Sequence, residues 1–332
     1  MNKKAFEIQF NWLFVLVAGA AILLFFSVIV VKQKAASETS TKATVLKSIE
    51  AIITGATVST DTTNIISIPN SDIEVSCGRI SIGGVSNQYQ NLILFAPGLI
   101  KGNRLITQTS AFSAPYRATN LLYITSPQIR YIIIGDNNLA KEVNKSLPSS
   151  LKKEFYQSHV QINNLNNYKV KFAIFGSMID FPKPLEKMPD IDVTAIRING
   201  DEEKGTIEFY QKDKTSWLSK GSSVYIGKQS LMGAVYVDAL DAYMCNMQNV
   251  FSRLNIVTKI YSDRTKKLVQ EGASKAQLQC NQFYSNALSQ LNAIYGASQE
   301  FSRESVDTIA NAAKSLAGEN QNAQVYSCPL IY

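Results

Sequence analysis

The stretch 12-WLFVLVAGAAILLFFSVIVV-31 decides how the rest of the chain is arranged, because it is an unbroken apolar run with no charged residue. A helix of this length spans about 30 Å, which matches the hydrocarbon core of a bilayer. The apolar part of a secretory signal peptide is usually shorter, about 7–15 residues. Trp12 at the start of the run and Lys32 and Lys34 after it are typical of membrane interfaces. The pattern predicts a transmembrane helix over 12–31, preceded by a cytoplasmic tail over 1–11.

The side of the membrane on which the bulk of the chain lies is predicted from charges and cysteines. Lys3 and Lys4 favour a cytoplasmic N-terminus, although several lysines after the apolar run reduce the charge difference. The chain has four widely spaced cysteines and no C-x-x-C, namely Cys77, Cys245, Cys280 and Cys328. Behind an apolar N-terminus they predict two disulfides outside the cytoplasm, with four buried free thiols as the alternative. We expect a single-pass protein of the cell membrane, with its N-terminus inside and its bulk extracytoplasmic.

A short basic leader at the N-terminus allows a different interpretation. The leader 3-KKA-5 precedes Phe6 and the long apolar helix, and in this arrangement it resembles a type IV prepilin. The resemblance implies cleavage after Ala5 and a role as a filament or secretion-system subunit. The sequence departs from the pilin pattern at the acidic position: Glu7 is second after the implied cut, whereas pilins carry the acid fifth, where Phe10 stands.

Two further stretches carry a second resemblance. The tracts 3-KKAFEIQFNW-12 and 115-PYRATNLLYITSP-127 resemble segments of uncharacterised single-pass envelope proteins from archaea with small genomes. This resemblance implies an extracytoplasmic body and brings no known activity.

The region after the apolar run predicts a helical stalk and then a mixed head. Residues 32–63 are rich in Ala, Ser and Thr, and Val45 and Ile49 fall on one helical face. From 64 to 228, short apolar runs alternate with turn signals and one amphipathic helix at 138–147. The predicted strands are 65–68, 73–77, 79–82, 91–95, 105–109, 121–125, 131–134, 169–175, 193–198, 206–210 and 223–226. The predicted fold class is α+β or α/β, with a mixed sheet covered by short helices.

From about residue 229 the apolar period becomes helical. Two stripes with alternating steps of four and three residues follow, namely Tyr243, Met247, Val250, Leu254, Val257 and Tyr261, then Tyr284, Leu288, Leu291, Tyr295 and Ser298. Separated by a break near 271–274, they predict a coiled antiparallel hairpin over 229–318 and a tail over 319–332. Alternatively, the stripes pack on the head. The second helix has few charges, which favours contact with another subunit.

The predicted hairpin constrains the disulfides. A turn near residue 272 would place Cys245 and Cys280 about 28 Å apart along the helix axis. A disulfide needs Cα atoms within about 7 Å, so this pair is excluded. A tail that folds back beside Cys245 would pair it with Cys328, which leaves Cys77 for Cys280.

No sequence motif predicts catalysis, a metal or a cofactor. His159 is the single histidine, and no G-x-S-x-G is present. The segment 221–228 has one residue too many between its glycines to form a phosphate-binding loop, and Gln229 replaces the required Ser or Thr. The acidic pairs Asp190/Asp192 and Asp238/Asp241 are interpreted as solvated; the second pair would share a helix face. The net charge of +7 is scattered, so we expect no nucleic-acid partner.

One strand end is a candidate ligand site. Asp136 and Asn137 follow a predicted strand and precede a helix, which is where α/β folds bind ligands. Asp and Asn are also ordinary helix caps. Asn144 begins an N-x-S sequon and is a candidate glycan site.

These patterns predict a membrane-anchored extracytoplasmic envelope protein with a structural or interaction role, not an enzyme. Its expected partners are the lipid bilayer and another protein, or a second copy, bound through the helical hairpin. The alternatives are a pilin-like subunit and a ligand-binding or enzymatic α/β domain that uses the cleft near Asp136.

Overall fold

The apolar N-terminal segment is part of one long helix. The computed structural model describes residues 3–89, 92–158, 162, 167–274 and 278–332. Helix α1 (Lys3–Val58) is unbroken over 56 residues. Its segment Trp12–Lys34 is long and apolar enough to cross a membrane, and none of it is buried by the rest of the chain. Together with two disulfides, this exposed apolar helix indicates secretion or a membrane anchor, with an extracytoplasmic bulk.

The later part of α1 packs onto the head. Val45 and Leu46 are each 2% exposed and Ile49 is 1% exposed, in a cluster with side chains of the first sheet. Val45 lies about 16 Å beyond Lys34 at the helical rise of 1.5 Å per residue. Because the helix does not break between these points, the head is joined to the apolar segment by a rigid element.

The first sheet, sheet A, has six strands in the order β3-β2-β1-β5-β6-β4. The strands are β1 (Thr63–Ser76), β2 (Arg79–Ile82), β3 (Val85–Gln88), β4 (Leu94–Phe95), β5 (Leu99–Ser113) and β6 (Arg117–Thr125). All neighbours are antiparallel except β4 and β6, which are parallel. Successive residues of a strand face opposite sides, so Leu122 packs towards α1 and Tyr123 packs towards the second sheet.

The second sheet, sheet B, has the order β12-β11-β10-β9-β7-β8. Its elements are β7 (Ile129–Ile134), α2 (Asn138–Ser146), β8 (Lys152–Tyr156), β9 (Lys169–Phe175), β10 (Val193–Gly200), β11 (Lys204–Asp213) and β12 (Ser216–Ile226). Strands β8, β7, β9 and β10 are parallel, and β11 and β12 are antiparallel to their neighbours. Every residue of β7 and β9 is buried, as expected for the centre of a covered parallel sheet. The mixed fold class is confirmed, but the head contains two sheets.

A short buried helix, α3 (Gly227–Tyr236), lies between the sheets. All of its residues from Ser230 to Tyr236 are buried. The Tyr236 ring lies 5.1 Å from that of Tyr123 in sheet A and 5.8 Å from that of Tyr131 in sheet B. A Cβ atom at Gly233 would lie 2.7 Å from the Phe95 ring, so glycine permits the close approach.

The C-terminal region forms three packed helices. They are α4 (Leu240–Ser274), α5 (Leu278–Ala297) and α6 (Arg303–Val325). Helices α4 and α5 correspond to the predicted hairpin, but the second predicted helix ends before residue 298. Phe301 is buried 5.0 Å from the Phe251 ring, and Ser302 caps α6 by accepting a hydrogen bond from the Ser305 amide. These two residues set the break and the start of the third helix.

The four cysteines form two disulfides, but the favoured pairing was wrong. Cys77 is bonded to Cys245 and Cys280 to Cys328, with Cα atoms 6.1 Å and 5.8 Å apart. The expectation that Cys245 and Cys280 do not pair is confirmed. Because α6 runs back along α5, the tail reaches Cys280 and not Cys245. The turn between β1 and β2 places Cys77 beside the start of α4.

Alkylation of paired cysteine variants tests this connectivity. Cys77→Ser/Cys245→Ser removes one whole disulfide, so we expect no free thiol in the remaining pair. Cys77→Ser/Cys280→Ser breaks both disulfides and leaves two thiols that alkylate under denaturing, non-reducing conditions. Intact mass counts the added groups, and the opposite result would contradict the connectivity seen here.

Truncation of the buried face of α1 tests its packing. Ile49→Ala removes a side chain that is 1% exposed, so we expect a loss of about 2–5 kcal/mol in the free energy of unfolding of the head. Lys47→Ala on the exposed side is the control, with a change within about 0.5 kcal/mol. Denaturant titration in detergent provides the comparison; equal stabilities would show that α1 does not pack on sheet A.

Candidate functional site

The strand-end position predicted as a ligand cleft contains a helix cap. The Asn137 Oδ1 atom accepts a hydrogen bond of 2.8 Å from the Ala140 amide at the start of α2. A Cβ atom at Gly135 would lie 2.7 Å from the Phe175 Cβ atom, so the ends of β7 and β9 approach closely. The Asp136 side chain is exposed to solvent. Capping accounts for Asn137, and a ligand at Asp136 stays a prediction.

The other residues singled out in the sequence lie apart from one another. Asn144 is half-buried on α2, and its carbonyl accepts a hydrogen bond of 2.6 Å from Lys153 Nζ. Trp12, Lys32 and Lys34 are exposed on α1. His159 lies outside the described residues. The structure does not bring these residues together into one site.

In each acidic pair, one member forms an ion pair with a buried lysine. Asp190 forms an ion pair with Lys212, whose side chain is only 3% exposed. Asp241 is exposed in the first turn of α4, whereas Asp238 lies before the helix with a side chain 14% exposed. The interpretation of Asp238 as a solvated partner of Asp241 is wrong. Within the described ranges, no group of three or more His, Cys, Asp or Glu residues could hold a metal ion.

Asp238 belongs to a buried ionic cluster that the sequence analysis missed. Lys169 and Lys171 are two residues apart on β9, so both side chains lie on the same face of sheet B. Lys169 Nζ is 2.5 Å from Asp238 Oδ2, and Lys171 Nζ is 2.8 Å from Asp238 Oδ1. The lysine side chains are 3% and 5% exposed. Such buried ion pairs are screened by salt far less than surface pairs.

The cluster also holds sheet A. The Gly98 amide donates a hydrogen bond of 3.0 Å to Asp238 Oδ2. Next to Lys169 in the chain, the Tyr168 hydroxyl accepts a hydrogen bond from the Lys101 amide and donates one to the Leu99 carbonyl, at 3.1 Å and 3.3 Å. The start of β5 is therefore fixed to β9 and to the connection between α3 and α4.

Every donor position of the Lys171 ammonium is occupied. Besides Asp238, it donates to the Tyr236 carbonyl at 2.9 Å and to the Val237 carbonyl. A lysine with a lowered pKa is a common catalytic group. Here three acceptors surround the ammonium in a buried position, which is the arrangement of a structural cluster.

The electrostatics of the cluster follow from burial and from two cations facing one anion. Burial lowers the pKa of Lys171 to about 8; Asp238 opposes this shift and Lys169 adds to it. Burial alone would raise the pKa of Asp238, but Lys171 and Lys169 hold it below its ordinary value. The carboxylate therefore stays charged at neutral pH and compensates the adjacent ammonium groups.

A small surface groove lies between the start of α6 and strands β11 and β12. One cavity of about 210 Å³ is lined by Lys204, Arg303 and Asp307, among others. A cavity of about 170 Å³ beside it shares Arg303 and includes Ser302. Lys204 and Asp307 form an ion pair of 2.5 Å, so these two charges in the groove compensate each other. The groove offers a small space lined by both polar and apolar side chains.

Exposed large apolar side chains are concentrated on the helical bundle and the tail. Outside α1, five of them within the described ranges lie in this region, namely Ile256, Ile260, Val325, Tyr326 and Leu330. The head has three, and these are scattered: Ile65, Ile191 and Leu218. Exposed apolar side chains that cluster on one region of a surface are typical of interaction sites. The bundle is therefore the candidate interaction surface.

Comparison of the chain with protein-family models, with curated proteins and with solved structures finds no match. The resemblances to prepilins and to archaeal envelope proteins therefore stay sequence-based hypotheses, and no family is identified.

Substitution of the acidic member tests the buried cluster. Asp238→Asn leaves two buried ammonium groups without their counter-charge, so we expect a loss of about 3–5 kcal/mol in the free energy of unfolding at neutral pH. The matched control is Asp241→Asn, which changes an exposed carboxylate three residues away by less than about 0.5 kcal/mol. Denaturant titrations of the three proteins measure both effects.

The pH dependence of the same variants follows from the lowered pKa of Asp238. A carboxyl with a folded pKa below its ordinary value of 3.8 stabilises the protein above that value. This contribution disappears as the pH falls through the folded pKa, because the folded carboxyl then binds its proton. We expect the stability difference between wild type and Asp238→Asn to shrink below pH 3.8. A difference that is constant from neutral pH into acid would contradict the ionic role.

Proposed function

We propose that this protein is a single-pass, membrane-anchored scaffold whose head and helical bundle lie outside the cytoplasm and bind another protein or copy. The continuity of α1 carries the proposal. The exposed apolar segment Trp12–Lys34 passes without a break into the segment that is buried against sheet A. A rigid connection of this kind holds a head at a fixed distance from a bilayer. A fixed position suits a subunit of an assembly better than an enzyme on a tether.

The orientation rests on charge and disulfides. Lys3 and Lys4 favour a cytoplasmic N-terminus. Disulfides persist in oxidising compartments, and both disulfides lie beyond the anchor in the chain. In this orientation the head and the Asn144 sequon are outside.

An interaction role is supported by the surface of the bundle. The bundle and the tail that follows it carry five of the eight exposed large apolar side chains found outside α1 in the described residues. The charged groups of the cleft and the groove are either solvated or paired with neighbouring side chains. The bundle thus has the surface chemistry of a binding module.

Cross-linking in native membranes tests the scaffold proposal. We expect an amine-reactive cross-linker to join the full-length chain to another protein or to a second copy in specific adducts. The same reaction after denaturation in detergent is the control, in which these adducts should disappear. Recovery of monomer alone under both conditions would contradict an assembly role.

A pilin-like subunit is the second candidate, and one observation favours it. The N-terminal half of α1 is apolar and exposed, and the C-terminal half packs on sheet A, which is mainly antiparallel. A subunit of this shape can associate with its neighbours through the exposed helix and present its head outwards.

The fate of the N-terminal leader separates the two candidates. A processed pilin-like subunit would lack residues 1–5 when it is extracted from membranes, whereas a fixed anchor keeps them. Intact-mass measurement detects the difference directly. The control is a Lys3→Ala/Lys4→Ala variant, which should stay uncut if cleavage depends on the basic leader. A wild-type chain that keeps residues 1–5 would exclude the pilin-like candidate.

A further inference from the structure

The outer side of α4 carries exposed isoleucines between positive charges. Five side chains spaced three or four residues apart form a stripe along this side. We call it the α4 outer stripe; its residues are Arg253, Ile256, Ile260, Arg264 and Lys267. Residues three and four apart are neighbours on a helix surface, so the stripe is continuous over about 21 Å. Ile256 is 54% exposed and Ile260 is 62% exposed.

Helix α4 does not use these isoleucines for its own packing. Its inward side is formed by Tyr243, Met247, Val250, Phe251 and Leu254, each of which is fully buried. Burial of an isoleucine side chain is worth about 1.5–3 kcal/mol. A partner that covers the two exposed isoleucines would therefore gain binding free energy from their burial.

The charge around these isoleucines has one dominant sign. Between positions 253 and 267 the sequence has five basic residues and one acidic residue, Asp263. Asp263 lies 3.4 Å from Lys266 and compensates it. Arg253, Lys259 and Lys267 have no ion-pair partner in the part of the chain that the structure describes. The isoleucines thus lie among three basic side chains that form no ion pair within the described residues.

We propose that the α4 outer stripe binds an acidic segment of a partner protein. Apolar side chains of that segment would cover Ile256 and Ile260, and its carboxylates would lie against Arg253 and Lys267. An apolar centre with a polar rim is the usual anatomy of a protein–protein interface, and complementary charge guides such partners together. The proposal rests on the scaffold function and names the chemistry of the partner.

A second copy of this chain and a lipid surface fit the stripe less well. Two copies that meet stripe to stripe would bring the same cations together, which repel. A helix that lies in a membrane interface needs a broad apolar face. In α4 that face is already buried in the protein, and the outer stripe offers two apolar side chains. A compact acidic partner uses both the charge and the small apolar area.

The rest of the bundle provides a matched control surface. Helix α5 has no Asp, Glu, Lys or Arg in its sequence, and Ser285 and Ser289 are exposed on it one turn apart. This surface has the same helical geometry as the α4 outer stripe but neither its charge nor its isoleucines. Any contact that depends on the stripe should be absent here.

Site-specific photo-cross-linking of the full-length chain in its native membranes tests the proposal. A photoreactive residue replaces Ile256 or Ile260 in the test proteins and Ser285 or Ser289 in the controls. We expect an adduct with an acidic partner from the test positions only, with the cross-linked peptide identified by mass spectrometry as a segment rich in Asp and Glu. In the background of Arg253→Glu/Lys267→Glu, we expect the adduct yield to fall about tenfold or more.

Four outcomes would overturn the proposal: no adduct above the α5 controls, an adduct with a second copy, an adduct with lipid, or a protein adduct whose yield survives charge reversal. A thermal melt of each variant verifies folding, and Arg253→Lys/Lys267→Arg, which keeps the charge, should retain the adduct. If amine cross-linking still shows complexes while the stripe gives no adduct, the scaffold function stands and this surface is excluded. If both experiments show monomer alone, the scaffold function itself fails.

Discussion

The ion pairs of Asp238 with Lys169 and Lys171 fix the relation between the main parts of the molecule. Both lysines come from β9, a central strand of sheet B, and the aspartate comes from the connection between α3 and α4. The Gly98 amide, just before β5 of sheet A, donates a hydrogen bond to the same aspartate. A buried charge is costly unless it is paired and hydrogen-bonded. The three segments must therefore meet in one geometry, since any other leaves a charge buried without its partner.

The aromatic contacts around α3 complement this ionic constraint. Tyr236 lies between Tyr123 of sheet A and Tyr131 of sheet B, and Asp238 follows it two residues later in the chain. Apolar packing holds the sheets against α3 without specifying their register, because it is not directional. The hydrogen bonds of the cluster supply the direction. The Cys77–Cys245 disulfide adds a covalent connection between sheet A and α4 at the edge of the same junction.

Helix α1 and the bundle pack on the same sheet, which fixes their relative positions. A helix packed on one face of sheet A leaves the opposite face to α3 and α4, so α1 and the bundle are on opposite sides of this sheet. In the proposed orientation, the position of the α4 outer stripe relative to the membrane is set by packed elements and not by a linker. A partner that binds there meets a surface held in a fixed place, which lowers the entropic cost of binding.

The sequence by itself determined the elements with a strong periodic signal. The apolar run of α1, the strands at 79–82 and 169–175 and the helix after Asn137 match their predicted positions closely, since local pattern and burial agree there. The existence of two disulfides also followed from composition. Only the tertiary structure decided the disulfide partners, because α6 begins at a break defined by burial of Phe301 and returns the tail to Cys280. It also decided the role of Asp238, because a carboxylate next to a helix start has the same local sequence whether it meets water or two lysines from a distant strand.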